Sequence, residues 1–252
     1  ADGKMDGPGE QSGIQEFEER RRQSSFAGDF FRLFGGTLLV QVILFFTSPI
    51  ITRIYGPQAY GLSSLFLSIV GILGVVICLR YESSIMLPEK QDDAASLFLL
   101  SVVIAVVISL ASIPILFLVE PYALQLLNAP EMGPYFPLIS LSLLLYGLFI
   151  SFTYWNSRSR EFSRLSMARV GGSTTTTALQ LSAGYTGFNT GGNLILSGIS
   201  GSAMSSAILG AHIWKRDRGF LKKCFRWSKL KAGLRRYKNF PIYDTWSGLL
   251  NM

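Results

Sequence analysis

One histidine (His212) and two cysteines (Cys78 and Cys224) are all that 252 residues offer in soft or imidazole ligands. With no CxxC and no HExxH, a dedicated metal site has no ligand set. The chain also lacks GxxxxGK[ST] and any strand-associated GxGxxG, the backbone cradles that nucleotide phosphates require, which excludes nucleotide hydrolysis. Cys78 falls in an apolar stretch and Cys224 in a basic one, so no structural disulfide is expected in a reducing compartment. No apolar run lies within the first 30 residues, so no cleavable signal peptide is expected. Acids are fewer than bases, 16 against 23, and the net charge is +7.

What the chain does hold is six apolar stretches, at 33–52, 60–79, 94–119, 135–155, 165–185 and 192–214. Each approaches or exceeds the roughly 20 residues a helix needs to cross a bilayer. With the N-terminus assigned to the cytoplasm, 22 of the 23 Lys and Arg fall on that side and only Arg53 lies outside. Such asymmetry sets membrane orientation. The expected fold is an all-α integral membrane lobe of six transmembrane helices. Its bases match the anionic cytoplasmic leaflet, which gives the net charge a cause other than nucleic acid.

Around that lobe, residues 1–32 read as a cytoplasmic leader, mobile or amphipathic, with Phe17, Phe26, Phe30 and Phe31 as membrane-surface contacts. Residues 215–239 form a basic cytoplasmic linker. Residues 240–252 start a further apolar segment too short to span, read as a truncated seventh transmembrane helix. Asp92 and Asp93 suit the start of the third helix by capping and dipole. Pro114 would kink it, and Pro137 suits the first turn of the fourth. Tyr135, Tyr154, Trp155 and Trp214 fall where an interfacial aromatic belt would. Ser197 with Gly201, Gly198 with Ser202 and Ser206 with Gly210 permit close helix approach.

The fifth stretch is unusually polar, carrying Arg169, Thr174 to Thr177 and Gln180. It is either a helix shielded by neighbours or lining water, with hydroxyls bonding across or back to i−4 carbonyls, or a cytoplasmic or re-entrant segment. Removing it would send the basic linker outside, so the charge pattern favours a crossing. The outer loops offer only Arg53, Glu120 and Glu131 as charged groups, a poor set for acid–base catalysis. The reading is therefore a non-enzymatic one. A polar cargo needs a cavity lined by hydroxyls, amides and a few charges, and the candidates are Gln41, Thr175 and Gln180. Arg53 is either an arginine snorkelling to headgroups or a cation facing a phosphate. Arg80 and Glu82, two apart, do not share a helix face and read as the anchor of the second helix or as a gate. Asp244 is an interfacial acid or an ion-coupling one.

Four segments then become familiar: Ser48–Gly61 (SPIITRIYGPQAYG), Leu79–Pro88 (LRYESSIMLP), Tyr154–Arg158 (YWNSR) and Tyr237–Tyr243 (YKNFPIY). They resemble bacterial polysaccharide-biosynthesis membrane proteins, the O-antigen and lipopolysaccharide flippases of the multidrug/oligosaccharidyl-lipid/polysaccharide exporter superfamily. The likeness covers roughly residues 30–252, and this chain would be an N-terminal half. It implies two six-helix lobes around a central cavity in the bacterial inner membrane. It further implies translocation of an undecaprenyl-diphosphate-linked oligosaccharide by alternating access. The partners implied are the bilayer, the lipid-linked oligosaccharide, and either a missing C-terminal lobe or a second copy. The resemblance points to Arg53, Arg80 and Glu82, and Arg158 matches its Trp-x-x-Arg element. No cofactor is expected; a coupling ion, H+ or Na+, is left unassigned. The alternatives are a drug or cation antiporter of the same superfamily, which a membrane-embedded acid would favour, and a non-transporting scaffold for polysaccharide assembly.

Overall fold

The computed structural model describes the backbone of residues 8–224 and the side chains of residues 34–219 and 221. The basic stretch beyond Cys224, the segment 240–252 and Asp244 lie outside these residues, as do the side chains of Phe17, Phe26, Phe30 and Phe31. Among the described residues the fold is all-helical. The helices are α1 (Pro8–Gly74), α2 (Tyr81–Ser84), α3 (Gln91–Leu126), α4 (Leu138–Arg158), α5 (Phe162–Tyr185) and α6 (Gly191–Cys224), with a 3-10 turn at Pro130–Tyr135.

Among the described residues four helices are long and apolar enough to cross a membrane: Phe34–Gly74 within α1, Gln91–Leu126, Leu138–Arg158 and Gly191–Gly219. Six such spans are expected from the sequence, and two physical features account for the difference. The first two stretches run on as one helical segment with a break at Gly56. The fifth is helical, but Arg169, the four threonines and Gln180 keep it below the apolarity of the others.

The break at Gly56 follows from its sequence. Gly56 adopts φ 69°, ψ 170°, a region in effect open only to glycine. Pro57 then disfavours helical backbone in the residue before it. A second break ends α1, where residues 75–80 form turns and Leu79 and Arg80 both take left-handed backbone (φ 47° and 59°). Ile77 and Cys78 within it are each 1% exposed, so this irregular backbone is buried in protein.

The leader is helical from Pro8, where Glu and Arg, good helix formers, outnumber breakers. Asp92 and Asp93 lie in the first turn of α3 and suit its dipole, but no side chain caps that helix. Pro114 and Pro121 sit inside a helix that continues through both. Trp155 is 4% exposed and donates Nε1–H to Asp217 Oδ2 at 2.9 Å, so it packs inside rather than joining an interfacial belt; Trp214 is exposed.

Specific contacts give the helix directions. A Cβ on Gly36 would meet Ser166 Cβ at 2.5 Å and one on Gly184 would meet Ile54, so the first part of α1 runs parallel to α5. Ser205 donates to Ala168 O, while Gly172 and Gly201 face each other, making α5 and α6 antiparallel. Gly192 packs on Tyr135 and Gly210 on Phe152, making α4 and α6 parallel. Ser101 meets Ser151 and Ser109 meets Ser140, making α3 and α4 antiparallel. Gly191 packs on Ala59 and Leu62, and Gly74 on Tyr146, so the chain beyond Gly56 returns along the bundle.

One bundle end thus gathers residues 85–88, 155–161 and 216–217. The other gathers 54–62, 135, 184 and 191–192. The largest apolar core cluster, including Phe66, Ile77, Leu116, Met132 and Ile139, joins α1, α3, α4 and the 3-10 turn.

Candidate functional site

The backbone break at Leu79 and Arg80 changes which side chains meet. In a continuous helix, positions 80 and 82 would diverge, as the sequence implies. Left-handed backbone at both residues turns the chain, and Arg80 Nη1 lies 3.9 Å from Glu82 Oε1. The Glu82 side chain is 3% exposed and that of Arg80 27%. Glu82 is therefore an acid folded into the bundle, although it stands beyond the apolar stretch in sequence. Burial here raises the pKa of the neighbouring Tyr81 phenol and keeps it neutral.

Arg158 holds the same segment from the other side. Its guanidinium donates to Ile85 O at 3.0 Å, Met86 O at 3.3 Å and Pro88 O at 2.6 Å. Three carbonyls freed by the end of α2 are thereby gathered by one fork, a geometry arginine suits and lysine does not. Arg158 thereby braces residues 85–88. Nearby, Glu161 pairs with Arg164 at 3.4 Å and with Arg216, tying α5 to α6 at that bundle end.

The remaining candidates are scattered. Arg53 is exposed three residues before the Gly56 break, at the opposite end from the Arg158 brace. Gln41 is exposed on α1 beside Phe45 and Ser48, in a shallow groove of about 670 Å³. Thr175 donates to Gly171 O at 2.8 Å, the back-bonding alternative for this helix. Gln180 contributes its backbone carbonyl, which accepts the Tyr55 hydroxyl at 2.7 Å. The structure therefore brings Arg80 and Glu82 together and places Arg158 behind them. It does not gather Arg53, Gln41, Thr175 and Gln180 around that pair.

A cleft of about 210 Å³ lies between α4, α5 and α6. Its walls are Tyr146 and Phe149, Ser173 and Thr176, and Ser202 and Ser205, with Gly172 and Gly201 between the last two helices. A Cβ on Gly201 would sit 2.7 Å from Gly172 O, so these backbones touch directly. Of the cleft residues, the sequence marks only Thr176, within the threonine run, and Gly201 and Ser202 as small packing residues. Tyr146, Phe149 and Ser173 carry no motif, and only the tertiary fold brings them together.

A protein-family model described as "Polysaccharide biosynthesis protein" matches residues 32–251. No curated protein and no solved structure matches the chain.

Proposed function

The chain belongs to the polysaccharide biosynthesis protein family, and from that premise we propose that it moves a lipid-linked oligosaccharide across a bilayer by alternating access. The observation that carries the reading is the Arg80–Glu82 pair, held at a helix break with Glu82 buried in the bundle. Ionisable groups at such positions are costly and mark transport pathways. Arg80, the more exposed partner, is the cation that meets the diphosphate, and Glu82 holds it in place. Polar groups of α5 meet sugar hydroxyls.

In this reading the chain crosses the bacterial inner membrane six times with its N-terminus in the cytoplasm. Several observations support that count. The two parts of α1 on either side of Gly56 pack in opposite senses, and the polar α5 is flanked by α1 and α6. The bundle end holding Arg158, Arg160, Arg164 and Arg216 is the basic one, as the charge asymmetry requires of a cytoplasmic face. The cavity is completed by a second lobe or a second copy. Binding energy that differs between the two facing states drives the exchange.

One observation favours a second reading, a cation antiporter: Glu82 is a buried acid of the kind such a transporter uses. Arg80 beside it compensates that charge and favours the anionic cargo.

The test is complementation of a strain lacking its exporter of lipid-linked units, using the full-length gene and scoring surface glycan. Arg80→Ala and Glu82→Gln should each lower export at least about tenfold, a loss of about 1.4 kcal/mol or more, at equal membrane levels. Wild-type export by both variants would remove the site, and failure of the wild-type gene would favour the antiporter or a scaffold.

A further inference from the structure

We propose that the cleft between α4, α5 and α6 receives one neutral sugar ring of the transported oligosaccharide. The inference rests on the export reading above and assigns a subsite that the Arg80–Glu82 pair does not supply. Three helices each contribute an i, i+3 pair, the spacing that puts two side chains on one face. Tyr146 and Phe149 bring two aromatic surfaces, while Ser173 with Thr176 and Ser202 with Ser205 bring four hydroxyls. Size limits the occupant: about 210 Å³ is below the roughly 300–1,000 Å³ of pockets for drug-sized ligands, so a single ring suits it and an oligosaccharide does not.

Charge limits it further. None of the eight residues lining the cleft is ionisable as a carboxylate or a base. A phosphate would find no cation there and a metal ion no carboxylate, whereas a polyhydroxylated ring finds donors, acceptors and apolar faces.

A second observation points the same way. Ser173 Oγ is buried and has no hydrogen-bond partner among the described residues. Nearby hydroxyls are satisfied by carbonyls: Thr175 by Gly171 O, Ser202 by Gly198 O and Ser205 by Ala168 O. A ring hydroxyl entering the cleft would end that deficit, which apolar packing cannot do. Contact between the Gly172 and Gly201 backbones makes one wall rigid, so the space is not readily lost by helix closure.

The experiment uses the full-length protein in lipid nanodiscs and saturation-transfer NMR with millimolar methyl α-D-glucopyranoside, methyl α-D-galactopyranoside and N-acetylglucosamine. At least one glycoside should receive saturation from the wild type and from Leu118→Ala, a variant of a residue remote from the cleft and 74% exposed. Ser202→Leu, which fills the cleft from an exposed position, and Phe149→Leu, which removes an aromatic face, should each weaken that transfer about tenfold. Thermal melting identifies any variant that fails to fold, and the other then carries the comparison. No transfer from the wild type to any of the three, or equal transfer from all folded variants, overturns the proposal. Surface-glycan export separates this failure from that of the parent reading. Export lost in Glu82→Gln but kept in Ser202→Leu and Phe149→Leu refutes the cleft alone. Export kept in every variant refutes both.

Discussion

Two seams of the bundle bury serine hydroxyls, and they treat them differently. Between α3 and α4 the hydroxyls close on one another. Ser101 and Ser151 lie 2.7 Å apart, Ser151 also donates to Gly147 O, Ser109 donates to Ser140 O and Ser112 meets Ser140 at 2.9 Å. Between α5 and α6 the helices touch through Gly172 and Gly201, Ser205 reaches Ala168 O, and Ser173 Oγ, beside open space, has no partner among the described residues. The first seam spends its polarity on holding helices together. The second keeps part of its polarity available, the arrangement a cargo surface needs and a purely structural contact does not.

Substitutions sharpen that contrast, beginning with the largest effect. Gly201→Val should destabilise the protein by about 1–3 kcal/mol or more, because its Cβ would overlap Thr176 and the fixed Gly172 carbonyl; lowered thermal melting in detergent measures it. Gly56→Ala should cost about 1–3 kcal/mol in the same assay, although no atom lies within 4 Å of the added methyl, since the cost is conformational. Ser151→Ala should cost about 1 kcal/mol, the worth of an interhelical polar contact with a partner left behind. Ser173→Ala should be neutral to slightly stabilising, because it removes a hydroxyl with no hydrogen-bond partner among the described residues. Equal losses for Ser151→Ala and Ser173→Ala would erase the distinction between the seams.

Much of this architecture is legible in the sequence, and its blind spots have physical causes. Stretches of apolar residues locate α3, α4 and α6, and the Gly56–Pro57 pair marks the break in α1 from backbone preference alone. The motif Leu79–Pro88 points at Arg80 and Glu82, yet helical spacing keeps them apart. Two left-handed non-glycine residues bring them together, and no local propensity announces those. The burial of Glu82 is hidden for the same reason, because the chain turns back into the bundle after the apolar stretch ends. Arg158 reads as a site cation because its motif is local, while its three carbonyl partners lie about 70 residues earlier. The cleft joins residues of three helices spanning 146 to 205, so its hydroxyls look in sequence like ordinary small packing residues.

The central claim is that the polar helix α5 crosses the bilayer beside α1 and α6, leaving the Arg158 end in the cytoplasm. Single cysteines at Ser159 and Thr186, in a background with Cys78 and Cys224 replaced by serine, test it with a membrane-impermeant thiol reagent in intact and permeabilised cells. The account predicts that Thr186→Cys labels in cells whose inner membrane is intact and that Ser159→Cys labels only after that membrane is opened. Labelling of both positions from the same side would contradict it.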